Sequence, residues 1–321
     1  MSVGDHGEAT LELPVVEPLD LVATVRPLSS GFGDPTWRVG ASGWRHALRN
    51  AAGPATLEVR RAGAGRLRLR AFGPGAEVAL EAVPEMLGLD RPPPPADGLS
   101  TAVRDLARAA RGLRLSRAPS WIAPLTLLVL QQKVSGKEAA RAHRELVRAV
   151  SQPAPGPPEV ADGLWLPPSA EALRALPDWA WAPLGIPARQ AATLRRVGLH
   201  ARRIEALRDV APEEAALRLR SIPGLGPWTV GSLLLVAGGA ADAVPVGDYH
   251  LPTAVAFALA GETRADDARM LALLEPHRGH RGWVVRWVEA AGGAPPRRHP
   301  RRPLRPLPPG RGAALSSLRR R

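Results

Sequence analysis

The chain changes its hydrophobic period once, and that switch decides what it can fold into. From Leu19 to about Leu89 apolar and polar residues alternate. Asp20-Leu-Val-Ala-Thr-Val25, Thr36-Trp-Arg-Val39, Ala55-Thr-Leu-Glu-Val-Arg60 and Arg66-Leu-Arg-Leu-Arg70 read as half-buried strands. Ala62-Gly-Ala-Gly65 joins the last two as a hairpin, a helix is expected from about Gly75 to Leu87, and Arg91-Pro-Pro-Pro-Pro95 closes the region as a stiff crossover. From about Leu99 to Gly293 the repeat is helical throughout. Helices are expected near 99–111, 119–131, 136–150, 169–176, 187–197, 200–209, 212–222, 228–237, 249–260, 266–274 and 280–291, with Pro and Gly marking most breaks. The expected class is α+β: a small antiparallel sheet domain with a helix over residues 17–95, then an all-α region over 96–293. Residues 1–16 read as a flexible lead-in and 151–168 as a Pro-rich surface loop. Residues 294–321, rich in Pro and Arg, read as a disordered basic tail.

Composition narrows the chemistry. There is no cysteine among the 321 residues, which excludes disulfides, thiolate zinc sites, cysteine nucleophiles and cysteine-ligated iron–sulfur clusters. The net charge of +13 points to a polyanionic partner. Arginine carries it, because Lys133 and Lys137 are the only lysines, and the tail after Pro295 is arginine-rich with no acidic residue. The longest apolar run, Trp121 to Leu130, is broken by Thr126 and falls short of the roughly 20 residues a membrane span needs. The first residues lack the basic and apolar regions of a signal peptide. A cytoplasmic protein without membrane contacts is expected.

Two motifs in the helical region carry chemistry. In Ser221-Ile-Pro-Gly-Leu-Gly-Pro-Trp-Thr-Val230 a tight turn separates two helices. Pro212-Glu-Glu opens the first, and Pro227 lies in the first turn of the second. Gly224 and Gly226 can take positive φ values and let a phosphate approach the backbone. An αα-corner whose glycines only cap helices has the same spacing. A dinucleotide site does not fit, because no strand precedes Gly224-Leu-Gly226. In Val246-Gly-Asp-Tyr-His-Leu-Pro252 the position of Pro252 places a helix start close to Asp248. That aspartate is either an N-cap or a carboxylate set beside developing positive charge. Tyr249, the only tyrosine, is a candidate for stacking on a base. His277 and His280 with Glu275 do not make a metal site, since Gly279 breaks the helix that would fix them.

The hairpin, the Gly-Asp-Tyr block and the upstream Leu130-Gln-Gln-Lys-Val-Ser-Gly-Lys-Glu-Ala-Ala140 together resemble the helix-hairpin-helix DNA glycosylases, in their 3-methyladenine DNA glycosylase II branch. The resemblance covers most of residues 119–290, and in the N-terminal domain it rests on architecture alone. It implies a monomer that flips and excises damaged bases from double-stranded DNA. On this basis Asp248 is the catalytic group. Gly224, Leu225, Gly226 and Thr229 bind the DNA backbone with Gln132 and Ser135 of the upstream block, and Lys133 takes the place of the invading wedge. Trp228, Tyr249, Trp121 and His280 are expected around the base, although Trp121 also reads as core because Ile122, Leu125 and Leu128 continue its apolar helix.

Trp228 stands where strand-cleaving members carry a Schiff-base lysine, so the resemblance implies a monofunctional enzyme without an iron–sulfur cluster. It also implies a monovalent cation at the hairpin carbonyls 222–226, with no side-chain ligand and no other cofactor. Two other readings stay open: a non-catalytic protein binding distorted DNA, and a glycosylase for oxidised or deaminated bases.

Overall fold

The computed structural model describes residues 2–4, 7–95 and 97–292. The expected basic tail lies outside the described residues. Six antiparallel strands, β1 (Ser2–Gly4), β2 (Glu8–Pro14), β3 (Trp37–Gly40), β4 (Gly43–Asn50), β5 (Gly53–Arg61) and β6 (Arg66–Phe72), form one sheet in the order β1-β2-β6-β5-β4-β3. Leu57, Val59, Leu67, Leu69 and Ala71 are wholly buried, and α2 (Ala76–Glu81) packs its Ala79 and Leu80 into the same core. The helix expected from Gly75 to Leu87 is interrupted at Ala82, ahead of Pro84, and resumes as α3 (Val83–Met86).

The N-terminal region departs from the sequence expectations in three places. Residues 8–14, expected within a flexible lead-in, are a full strand: Leu11 faces Leu69 and Leu13 faces Leu67 across β6, so the segment covers apolar edge that would otherwise meet water. Residues 20–25, expected as a strand, form the helix α1 (Leu21–Val25). Asp20 caps it by accepting from the amides of Val22 and Ala23, at 3.0 and 2.8 Å, and this local bond overrides the β-branched composition. β4 was not expected, because its residues are buried on both faces and no alternation shows.

The remaining helices follow the periodicity. They are α4 (Thr101–Ala109), α5 (Ile122–Gln131), α6 (Gly136–Val150), α7 (Pro158–Ala161), α8 (Ala170–Ala175) and α9 (Asp178–Trp181), then α10 (Ala188–Leu199), α11 (Ala201–Ala206), α12 (Pro212–Arg220), α13 (Pro227–Val236), α14 (Leu251–Ala260), α15 (Asp267–Leu274) and α16 (Arg281–Ala291). The short α7 and α9 were not expected. No helix among the described residues is long and apolar enough to cross a membrane. Two apolar cores organise the chain. One runs from the sheet through α5 and α10 to the inner face of α13; the other gathers α4, α14, α15 and α16.

A buried polar cluster locks β3 and β4 to the preceding loop. The Asp34 carboxylate, 2% exposed, accepts from the amides of Ser30 and Thr36 and from the hydroxyls of Ser29, Ser30 and Thr36. His46 is bonded through Nδ1 to the Thr36 carbonyl and stacks on Trp37, with ring centroids 3.8 Å apart. Burial pushes the His46 imidazole down from 6.5 to about 4. Its folded pKa is thus below its unfolded one, so the unfolded chain takes the proton first and stability falls as pH drops from 6.5 through about 4. That shift corresponds to at most about 3 kcal/mol. His46→Asn keeps a donor near the Nδ1 position without titrating. Thermal melts between pH 7 and 4 are expected to show a shallower loss of Tm for this variant than for wild type, and parallel curves would remove His46 as a source of acid sensitivity.

Candidate functional site

The hairpin joins α12 to α13 through Ser221–Gly226, and its turn closes with the Leu225 amide donating to the Ile222 carbonyl at 3.1 Å. Gly224 has φ +99, and a Cβ there would meet Thr193 Oγ1 at 2.2 Å, so both conformation and packing demand glycine. Gly226 differs from expectation. Its φ of −81 suits any residue, and an added Cβ would meet no protein atom within 4 Å. The protein itself gives no reason for glycine at 226, whereas an approaching ligand would. No side chain caps α13, which leaves the first-turn amides of Trp228 and Thr229 without helical partners. Leu225 and Thr229 are buried, so only their backbone is available to a ligand at the turn.

The upstream block holds this turn in place. Gln132 Nε2 donates to the Gly224 carbonyl and to Thr229 Oγ1, each at 2.9 Å, while Gln190 Nε2 donates to the Gln132 carbonyl at 2.8 Å. Gln132 is therefore a cross-link between α5 and the hairpin. Ser135 is engaged as the cap of α6 in a reciprocal capping box with Glu138. Between them Lys133 is exposed with φ +57, the only non-glycine residue with positive φ among the described residues. Strain of this kind, about 1–3 kcal/mol, persists where the surroundings enforce it, and it turns the lysine outward beside the hairpin.

Asp248 reaches the hairpin helix directly. Its Oδ2 accepts from Trp228 Nε1 at 2.8 Å, and its Oδ1 accepts from the amides of His250 and Leu251 at 2.7 and 2.9 Å. The helix expected over 249–260, with its start close to Asp248, begins at Leu251, so the aspartate caps it from outside with one oxygen. Three donors occupy three of the four lone-pair sites of a carboxylate, which leaves the half-buried group one acceptor site to offer. A close backbone approach makes the pair possible. A Cβ on Gly231, one turn beyond Trp228, would meet the Val244 carbonyl at 2.5 Å. A glycine inside a helix costs about 1 kcal/mol against alanine, and this was the available sequence signal for the approach.

The other expected pocket residues are dispersed. Trp228 spends its indole N–H on Asp248. Tyr249 is 90% exposed and meets the His250 ring edge-on at 4.8 Å. Trp121 is a correction: it is 2% exposed in the first core and donates to the Ala237 carbonyl, so it is a packing residue without access to a base. His280 is exposed at the N-terminus of α16. Its segment is held by a residue the sequence did not flag. Asp242 accepts from the amides of Gly279 and Arg281 and from Arg281 Nε, and forms an ion pair with that guanidinium. Burial works against the Asp242 charge, but these bonds and the Arg281 charge outweigh it and hold the carboxyl below its usual range.

Among the carbonyls 222–226, expected to hold a monovalent cation, four accept one hydrogen bond each and keep a second lone pair. The Ile222, Pro223, Gly224 and Gly226 carbonyls already accept from Leu225 N, Arg196 Nη1, Gln132 Nε2 and Val230 N. One of those donors is itself a cation. No group of three or more His, Asp or Glu side chains is arranged for a metal among the described residues. A cavity of about 150 Å³ lies between β4 and the start of α5, lined by Trp37, His46, Leu48, Arg49, Ile122 and Pro167, and it shares no residue with the Asp248 group.

No family model matches the sequence, and no curated protein matches it. Solved structures do. The 3-methyladenine DNA-glycosylase from Archaeoglobus fulgidus superimposes with a TM-score of 0.72 at 17% identity, over 88% of this chain and 98% of that one. The chain has the DNA glycosylase fold. The 8-oxoguanine glycosylase/lyase of Clostridium acetobutylicum shares this fold in its apo form, with a TM-score of 0.66 at 12% identity over 88% of this chain and 96% of that one. The same enzyme in complex with double-stranded DNA containing cytosine opposite 8-oxoguanine gives 0.64 at 13% identity, over 85% and 91%. Within this glycosylase fold the Gly231 contact sets the spacing of hairpin and carboxylate. Gly231→Ala is expected to overpack it and to destabilise the protein by about 1–3 kcal/mol in denaturant titrations, a cost well above that of an ordinary surface substitution. An unchanged midpoint would show that the 244–248 segment yields freely.

Proposed function

We propose that this protein is a monofunctional DNA glycosylase that hydrolyses the N-glycosidic bond of alkylated bases in double-stranded DNA, with Asp248 as the catalytic group. The hydrogen bond between Trp228 and Asp248 carries this reading. It places an oriented carboxylate with a free acceptor site one helical turn from an uncapped, unobstructed hairpin. A tryptophan also stands where the resemblance puts the strand-cleaving lysine, so that position offers no amine for a Schiff base.

The chemistry follows from charge. An alkylated purine is already cationic and leaves with little acid assistance; the unstable species is the oxocarbenium-like sugar. Asp248 opposes that charge and accepts a proton from the attacking water. The Trp228 indole and the His250 and Leu251 amides fix the carboxylate's direction before the substrate arrives. The hairpin amides at Gly226 and the start of α13 hold a backbone phosphate, and Lys133 enters the space the flipped nucleotide leaves. Unstacking costs a few kcal/mol, which these backbone contacts offset.

Asp248→Asn is expected to slow the release of 3-methyladenine and 7-methylguanine from methylated duplex, measured by mass spectrometry, by about 10²-fold or more while duplex binding persists. Release at the wild-type rate would remove Asp248 from the mechanism. A second reading, a glycosylase/lyase for oxidised bases, shares the fold and is separated by borohydride trapping. The proposal expects no covalent adduct with an 8-oxoguanine duplex, whereas trapping through Lys133 or Lys137 would overturn its monofunctional part.

A further inference from the structure

The arginines of α10 to α12 fall into two sets. Arg195 pairs with Asp178, Arg208 with Glu205 and Arg218 with Glu214. Arg189, Arg196, Arg202, Arg203 and Arg220 have no ion pair among the described residues, and Arg196, Arg203 and Arg220 border the hairpin. Arg196 Nη1 lies 3.4 Å from the Pro223 carbonyl, and Arg203 Nη2 lies 3.2 Å from Ser221 Oγ. Arg220 ends α12 immediately before Ser221. Arg189 precedes Arg196 by seven residues, two helical turns, and so shares its face of α10 about 10 Å away. Next to it, Gln190 bonds to the Gln132 carbonyl beside Lys133. Arg196, Arg203 and Arg220 thus run along the turn from Pro223 to Ser221, and Arg189 continues the row on α10.

A solvated helix face ordinarily interleaves both signs, as the paired set does. Here the Arg196 and Arg203 guanidiniums rest on neutral hairpin oxygens, and no carboxylate among the described residues pairs with them or with Arg189 and Arg220. We infer that Arg189, Arg196, Arg203 and Arg220 form a phosphate track alongside the hairpin that supplies lesion-independent affinity for duplex DNA. The inference rests on the glycosylase reading for its partner but assigns no part of the excision step to these residues. The track holds undamaged and damaged duplex equally, while the hairpin, Lys133 and Asp248 act on the lesion.

The test uses the full chain and a short fluorescein-labelled duplex, undamaged or methylated, titrated across a series of NaCl concentrations. The triple variant Arg189→Ala, Arg196→Ala, Arg203→Ala is expected to lower the slope of log K against log[NaCl] by about 2–3, since each lost phosphate contact removes about 0.9. Affinity for both duplexes is expected to fall by the same factor, about tenfold or more at moderate salt, with single-turnover excision at saturating protein unchanged. The corresponding triple lysine variant is expected to keep the slope, which separates charge from folding. An unchanged slope in the alanine variant, or a loss confined to methylated duplex, would overturn the track. Wild-type protein that releases no base yet loses slope on substitution would refute the glycosylase reading and leave the track standing. Wild-type excision combined with an unchanged slope would do the reverse.

Discussion

The contact between the backbone of α13 at Gly231 and the Val244 carbonyl is the constraint on which the site depends. Any side chain at 231 would separate the helix from the segment that follows it, and that segment carries Asp248. With the two backbones in contact, Trp228 and Asp248 lie within hydrogen-bond distance, and the carboxylate takes its orientation from the helix that also forms the hairpin. Gln132 performs the matching service on the other side, tying the end of α5 to the turn through both amide protons. Three motifs separated by more than a hundred residues are thereby referred to one helix.

Much of this was legible in the sequence where local chemistry decides the outcome. Pro212, Pro227 and Gly224 fixed the hairpin through φ preferences and missing donors, and the observed α12 and α13 agree closely with that reading. Asp248 was legible as a carboxylate near a helix start, though Pro252 placed the start only approximately. What escaped was set by long-range packing. β4 shows no alternation because both of its faces are covered, and the segment around Leu11 and Leu13 becomes a strand only because β6 offers an edge. Trp121 had an apolar helical environment and a polar tip, and the nearby Ala237 carbonyl decided for the core. The roles of Gln132, Gly231 and Asp242 all depend on partners distant in sequence.

The sheet domain has its own polar interior, separate from the site. Asp34 gathers two amides and three hydroxyls in a space closed to water, and His46 is kept neutral by burial against Trp37. Such clusters carry a large penalty when half satisfied and confer a unique arrangement when complete. The Arg38 guanidinium extends this order to the helical region by donating to the Gly163 carbonyl, and Arg49 does so by donating to that of Pro167. The sheet therefore braces the 163–167 segment of the helical region through directional bonds as well as apolar contact.

The helix α13 belongs to both apolar cores. Val230, Leu233 and Leu234 face the first, Leu235 faces the second, and Val236 touches each. Its ends serve different tasks, since the N-terminal turn follows directly from the hairpin and its exit leads to Asp248 through Asp242 and Val244. A helix anchored on two sides behaves as a fixed ruler. On the proposed function, the interval between the phosphate-holding turn and the carboxylate is set in the first turn of this helix by the bond between Trp228 and Asp248. On the proposed function it is the substrate that supplies the deformation, because a nucleotide reaches the carboxylate only by leaving its stack. Bases already weakened in pairing or stacking make that movement most readily, so on the same proposal a rigid α13 acts as a filter for damage.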